Sequence, residues 1–217
     1  MTTFTAPAPR PGSAEEGRAI ERAALKVFAR DGCTRARLES VAAEAGVSES
    51  TLLTHFRDLD QLLLSVVLSS AASVATALST VADRHLSQVT DLEADLVAFG
   101  RAWQQPLLDF PDHFRLVRQI GAEIDRLPAQ VIEVWRNVGP QQAQHVLAHH
   151  LCKLAGRGLL DVEDAGRAAG RFILLVASPV AHRSFHGALP LTDEETHEIV
   201  ADGVRDFVRL YRPAAGR

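Results

Sequence analysis

The sequence predicts an all-α protein, built as a short three-helix head followed by a larger helical body. Three observations predict it. Apolar residues recur at three- and four-residue spacing in nearly every segment from Ala14 onward. The β-branched runs bounded by turns that mark strands are missing. Glycines and prolines at Gly32, Gly46, Pro111, Pro128, Gly139-Pro140, 156–158 and 187–190 cut the chain into lengths that suit helices.

The 217 residues, 47% hydrophobic and 23% charged, suffice for one large or two modest domains with a substantial core. The longest apolar candidates, 62–68 and 172–180, fall short of the ~18 residues a bilayer span needs, so no membrane span is expected. The opening MTTFTAPAPRPGS has neither a basic nor an apolar signal region. Cys33 and Cys152 lie far apart in regions of opposite character, which fits a reducing compartment. A cytoplasmic location is expected.

Taken in order, residues 1–13 are rich in Pro, Thr and Ala without periodicity and read as a mobile arm, whose Arg10 is within reach of a minor groove or has no role. Ile20, Ala23, Ala24, Val27 and Phe28 form one apolar stripe, and Asp31-Gly32 stops that first helix. Leu38, Val41, Ala42 and Ala45 mark a second, short helix; Leu52 and Phe56 mark a third that begins at Glu49. The head is therefore expected to span 14–58. Beyond it the helices lengthen: 59–86, 91–110, 112–127, 129–137, 141–155, 161–185 and 192–211, making a body of 59–217. No internal repeat is detected.

The stretch RLESVAAEAGVSESTLLTHF, 37–56, carries the chemistry. Gly46 is suited to the left-handed turn that ends one helix, Val47 to the angle between two, and Ser48 to capping the next with its hydroxyl. With Leu52 and Phe56 turned inward, the third helix presents Glu49, Ser50, Thr51, Leu53, Thr54 and His55 outward, where a major-groove reader meets base edges. A helical hairpin with a glycine corner and no nucleic-acid role has the same local pattern. Charge does not decide between them. The net charge is −4, and residues 10–57 hold eight Arg/Lys against seven Asp/Glu, a surplus of one.

A leading helix ending at Gly32, the AAEAGVSESTLLTHF block and the Leu-rich DLDQLLLSVV together resemble the TetR family over about residues 18–64. The resemblance implies a DNA-binding head that engages a double-stranded operator, a body that receives a small-molecule effector, and a two-fold homodimer formed by the last two helices. Departures accompany it. Where the family usually has a phosphate-binding Tyr stands Leu53, and where it has a Lys opening the fourth helix stands Leu59. Glu49 occupies a position often Lys, and Ala36 replaces the usual capping Thr of the second helix. Arg37, Arg57 and Arg35 are the candidates to restore phosphate contacts.

In the body, PDHFRLVRQIGAEIDRLP followed by a helix with Trp135 and a GLLD segment resembles one broad TetR subgroup. Trp103, Phe110, Phe114 and Trp135 sit on successive helices and either line an apolar cavity or fill the core, with Gln104, Arg118 and Glu123 as candidate polar contacts. Ala165, Ala169, Phe172, Ile173 and Val176 form one stripe, and Ile199, Val200, Val204, Phe207, Val208 and Tyr211 another. Ala169, Phe172, Val176, Val204, Phe207 and Tyr211 are expected at a four-helix dimer interface, part of each stripe facing the monomer core. His145 and His149 lie four apart beside His150 and Cys152, but no matching ligand accompanies them and no metal or cofactor is expected. No Walker, GxSxG or dinucleotide glycine pattern is present, so catalysis has no visible seat. A repressor released from its operator by a ligand is expected, against a helical ligand-binding or interaction protein with degenerate DNA binding, and a metal-dependent helical enzyme third.

Overall fold

Caps and prolines set where most of the helices start. The computed structural model describes residues 11–213, and among these every regular element is helical. The arm residues 1–10, Arg10 among them, lie outside the described residues, and the first helix, α1 (Pro11–Asp31), takes in the last three residues of the expected arm. It is followed by α2 (Leu38–Ala45), α3 (Glu49–His55) and the long α4 (Leu59–Leu86), whose cap Asp58 accepts from the Gln61 backbone N–H at 2.8 Å.

The expected helix 91–110 is two. Pro106 has no N–H to offer the carbonyl of Ala102 and its ring would clash there, so α5 (Leu92–Ala102) ends and a four-residue α6 (Pro106–Asp109) begins. Then come α7 (Pro111–Ala122), a single 3-10 turn at Ile124–Arg126, α8 (Ala129–Val138) and α9 (Pro140–Gly156). The expected helix 161–185 starts four residues late, because Asp164 caps α10 (Ala165–Phe172) and the Asp161 N–H is spent on the carbonyl of Tyr211 at 2.8 Å. Pro179 then deprives Leu175 of its i+4 donor, and the ladder shifts through a π-turn at Ile173–Ala177 before α11 (Ser178–Arg183). The last helix, α12 (Asp193–Tyr211), opens on a complete capping box between Thr192 and Glu195.

Two apolar clusters hold the chain together. One joins α1, α2 and α3 to the first half of α4, and it continues into the body through Leu116, Ile120 and Val131 of α7 and α8. The other packs the second half of α4 with α5, α9, α10 and α12. In it the rings of Phe99, Phe172, Phe207 and Tyr211 stack in sequence with centroids 5.5, 5.1 and 4.7 Å apart. Gly203 lets α12 approach the π-turn: a Cβ there would overlap the Leu175 carbonyl oxygen and lie 3.1 Å from Val176 Cα.

This ladder corrects one expectation. Ala169, Phe172, Val176, Val204, Phe207 and Tyr211 are core residues of a single chain, the first five wholly inaccessible. Phe172 of α10 packs both on Phe207 of α12 and on Phe99 of α5, so these six residues face the monomer core, while Ala165, Ile173 and Ile199 of the same stripes are only partly buried. By length and composition α4 resembles a bilayer span, with a mean hydropathy of 1.9 over its most apolar window, a longer apolar stretch than the expected 62–68. Ten of its residues instead belong to the protein interior.

Candidate nucleic-acid interface and ligand cavity

The head folds as its sequence predicts. Gly46 stands at φ 69°, ψ 28°, and its N–H reaches back to the carbonyls of Ala42 and Ala43. Ser48 Oγ accepts from the Thr51 N–H at 3.0 Å and caps α3. Leu52 is fully buried and Phe56 nearly so, which fixes the orientation of a seven-residue helix too short to persist alone. The N-cap of α2 is Arg37 rather than Ala36, and its side chain makes no capping bond, so that helix is held by Val41 and Ala42 in the core.

On α3, Glu49, Ser50, Leu53 and Thr54 are exposed as expected, with Leu53 at 47%. Thr51 is half-buried, its hydroxyl 2.9 Å from that of Ser48. His55 does not face outward. Its side chain is 11% exposed and Nε2 pairs with Glu16 of α1 at 2.9 Å, which ties the end of α3 to the first helix. Arg37 and Arg57 are exposed on either side, Arg57 with its guanidinium 2.8 Å from Asp58. The face therefore mixes hydroxyls, one acid and two flanking cations.

In the body, a cavity of about 270 Å³ opens between α4, α6, α7, α8 and the π-turn. It exists because α4 carries Ala71 and Ala75 where larger side chains would fill the space, and because Pro106 and Pro140 turn the chain away. Trp103, Phe114 and Trp135 line it as expected, together with Gln104. Phe110 and Arg118 are not in its wall. Phe110 packs against the body core, and Arg118 donates from Nη1 to the His186 carbonyl at 2.6 Å. That bond holds a turn in which Phe185 and His186, at φ 48° and 50°, both occupy the left-handed region.

Sequence reasoning missed His113, Ser178 and His186, which also line the cavity. The signal for His113 was its place on the same face of α7 as Val117, one turn on. Burial pushes its pKa down to about 4, and Nδ1 lies 3.2 Å from the Ser70 hydroxyl. Glu123, expected at the ligand, is at the other end of α7. It is 6% exposed and accepts from the Thr34 N–H at 2.7 Å, inside the loop between α1 and α2. Gln119 likewise donates to the Ala29 carbonyl at 3.3 Å. Burial, reinforced by the Glu123 charge, pushes the neighbouring Cys33 thiol up to about 12. One helix thus lines the cavity with His113, Phe114 and Val117 and grips the head with its last turn.

His145 and His149 lie exposed on α9, while His150 is buried with Nε2 3.3 Å from Asp83. Among the described residues no three His, Cys, Asp or Glu side chains converge on a common point.

Residues 20–66 match the family described as bacterial regulatory proteins, tetR family, and residues 94–213 match the AefR-like transcriptional repressor, C-terminal domain. A structure described as a TetR-family transcriptional regulator of Mesorhizobium loti is 29% identical, covering 93% of this chain and 99% of its own, with a TM-score of 0.83. The flavonoid-responsive regulator FrrA is 24% identical over 93% of this chain and all of its own, TM-score 0.71. A transcriptional regulator from Saccharomonospora viridis in complex with choline is 21% identical over 90% and 96%, TM-score 0.63. None of the curated proteins compared is significantly similar.

Proposed function

Since the chain belongs to the TetR family of transcriptional regulators, we propose that it is a homodimeric cytoplasmic repressor that leaves its operator when a small molecule fills the body cavity. The observation that carries this reading is the span of α7, from the cavity at His113 and Phe114 to the head at Gln119 and Glu123. A ligand that displaces the first end moves the second, and with it the bearing of α3. It shifts the population away from the DNA-bound form by no more than its affinity difference between the two. Repression, rather than activation, is supported by the repressor description of the matched C-terminal family.

DNA contact falls to Glu49, Ser50, Thr51, Leu53 and Thr54 of α3 at base edges, the cap Ser48 beside the backbone, and Arg37 and Arg57 at phosphates, while His55, turned inward onto Glu16, makes none. Leu53 and Glu49 stand where the family usually places a phosphate-binding Tyr and a Lys, which lowers affinity and shifts weight to the two arginines. Two heads in one dimer read half-sites about 34–36 Å apart. With the expected stripe buried, the surface left to a subunit partner on α10 to α12 carries Leu174 and Leu210 among charged residues such as Arg167, Asp202 and Arg205.

Selection of fragments from a random DNA pool, followed by gel shift, tests the reading. A palindromic site bound in the nanomolar range and lost on Ser50→Ala with Thr54→Ala is expected. No complex with any selected or upstream DNA at low salt would instead favour a ligand-binding protein whose DNA contact has degenerated.

A further inference from the structure

Charge is the feature the cavity lacks. No Asp, Glu, Lys or Arg is among its lining residues. The aromatic rings of Trp103, Phe114 and Trp135 would attract a quaternary ammonium, yet no carboxylate faces them. Glu123, the buried acid of the same helix, is committed to Thr34. A cation would enter with its desolvation uncompensated. An anion fares no better, because Arg118 spends its guanidinium on the His186 carbonyl outside the wall.

The polar side chains in its otherwise apolar, aromatic lining are Gln104, His113, Ser178 and His186, of which Gln104 and His113 are buried, Ser178 is half-buried and His186 is exposed. Gln104, 9% exposed, donates from Nε2 to the Gly100 carbonyl at 3.2 Å, which leaves its Oε1 to accept. His113, 8% exposed, has Nδ1 engaged with Ser70, and the Ser70 hydroxyl has a second acceptor in the Val67 carbonyl at 3.5 Å. Its Nε2 has no partner among the described residues. Whether Nε2 carries the proton depends on which way the Ser70 hydroxyl turns. A ligand hydroxyl, which both donates and accepts, satisfies either tautomer. A depressed pKa, which keeps the imidazole neutral at physiological pH, agrees with this.

We infer that the cavity selects an uncharged, hydroxyl-bearing aromatic molecule, its ring among Trp103, Phe114 and Trp135 and its hydroxyl on His113 or Gln104. As an effector assignment this rests on the regulator reading above; as a binding assignment it stands on the cavity alone.

Equilibrium dialysis of the full chain at neutral pH against 2-naphthol, naphthalene, 2-naphthoate and (2-naphthylmethyl)trimethylammonium tests it. We expect 2-naphthol to bind about tenfold more tightly than naphthalene and at least about a hundredfold more tightly than either ion. His113→Phe combined with Gln104→Met should reduce 2-naphthol to the level of naphthalene, and at least one of the two changes alone should weaken it. Failure of 2-naphthol to bind, equal binding of naphthalene, or equal or tighter binding of either ion overturns the inference. These wild-type measurements decide it even if a variant does not fold. A parallel gel shift separates the two proposals. An ion that binds and releases DNA leaves the regulator reading intact and refutes the ligand class. Selective 2-naphthol binding by a protein that holds no DNA does the reverse.

Discussion

Gly32→Ala and Glu123→Ala, made singly and together, should be strongly non-additive in stability. Gly32 lies at φ 95°, where an alanine costs about 1–2 kcal/mol from its backbone alone. In the wild type the new Cβ also overlaps Glu123 Oε1 and comes within 3.2 Å of Arg35 Nη2. Relief requires the carboxylate to turn away from the Thr34 N–H, loosening a bond to a charged group worth about 1.5–3 kcal/mol. The single Gly32→Ala change should therefore cost about 3–4 kcal/mol. Glu123→Ala alone costs about 2 kcal/mol, since exposed Thr34 can turn to water. The double variant loses that bond once and strains the backbone once, about 3–4 kcal/mol, against about 5–6 if the effects were independent. At about 2–4 °C per kcal/mol for a chain of this size, it should melt about 4–8 °C above the additive expectation. Urea and thermal unfolding followed by circular dichroism, at one fixed protein concentration, measure this. Additivity within about 0.5 kcal/mol would mean that the two residues do not share one joint, and the reasoning fails.

Other consequences are as direct. The His113 pKa is about 4 in the fold and 6.5 unfolded, so the unfolded chain takes up a proton first as pH falls. Stability is fully present above about 6.5 and is lost toward pH 4, by about 3 kcal/mol from this residue. His113→Phe should remove that share, and unchanged acid sensitivity would count against its burial as neutral imidazole. Gly203→Ala should destabilise by about 2–3 kcal/mol despite the better helix propensity of alanine, because its Cβ meets Leu175 and Val176 backbone. A stability at or above wild type would show that α12 lies further from the π-turn. Iodoacetamide at pH 8 should label exposed Cys152 and spare Cys33, whose thiol is buried and held far above its usual range. Two labels on the folded chain would refute this.

The head was legible because each of its residues has a geometric duty that a sequence displays: Gly46 turns, Ser48 caps, Leu52 and Phe56 anchor. His55 escaped because its partner, Glu16, is 39 residues away and an acid there looks like any solvated charge. The stripes on α10 and α12 were visible, but periodicity reports that a face is buried and not against what. Only the packing of Phe172 on Phe207 and on Phe99 decides. The cavity was the least legible part. It arises from volume that Ala71 and Ala75 do not occupy, and a missing side chain leaves no mark in a sequence. Glu123 was hidden for the opposite reason, since an acid near a helix end is ordinarily at the surface and this one is enclosed by a loop of another element.

The apolar cluster under α1 to α3 draws Leu116, Ile120 and Val131 from far down the chain, and this bears on modularity. Cutting after residue 58 would strip that cluster of part of its floor as well as the α4 residues Leu62, Leu63, Val66 and Val67. A chimera that grafts only the first 58 residues onto a relative's body should inherit the donor's groove-reading surface on a mismatched seat. Transplanting specificity between such proteins would need matched replacements on α4, α7 and α8, so the reading surface and its receiver must diverge in step.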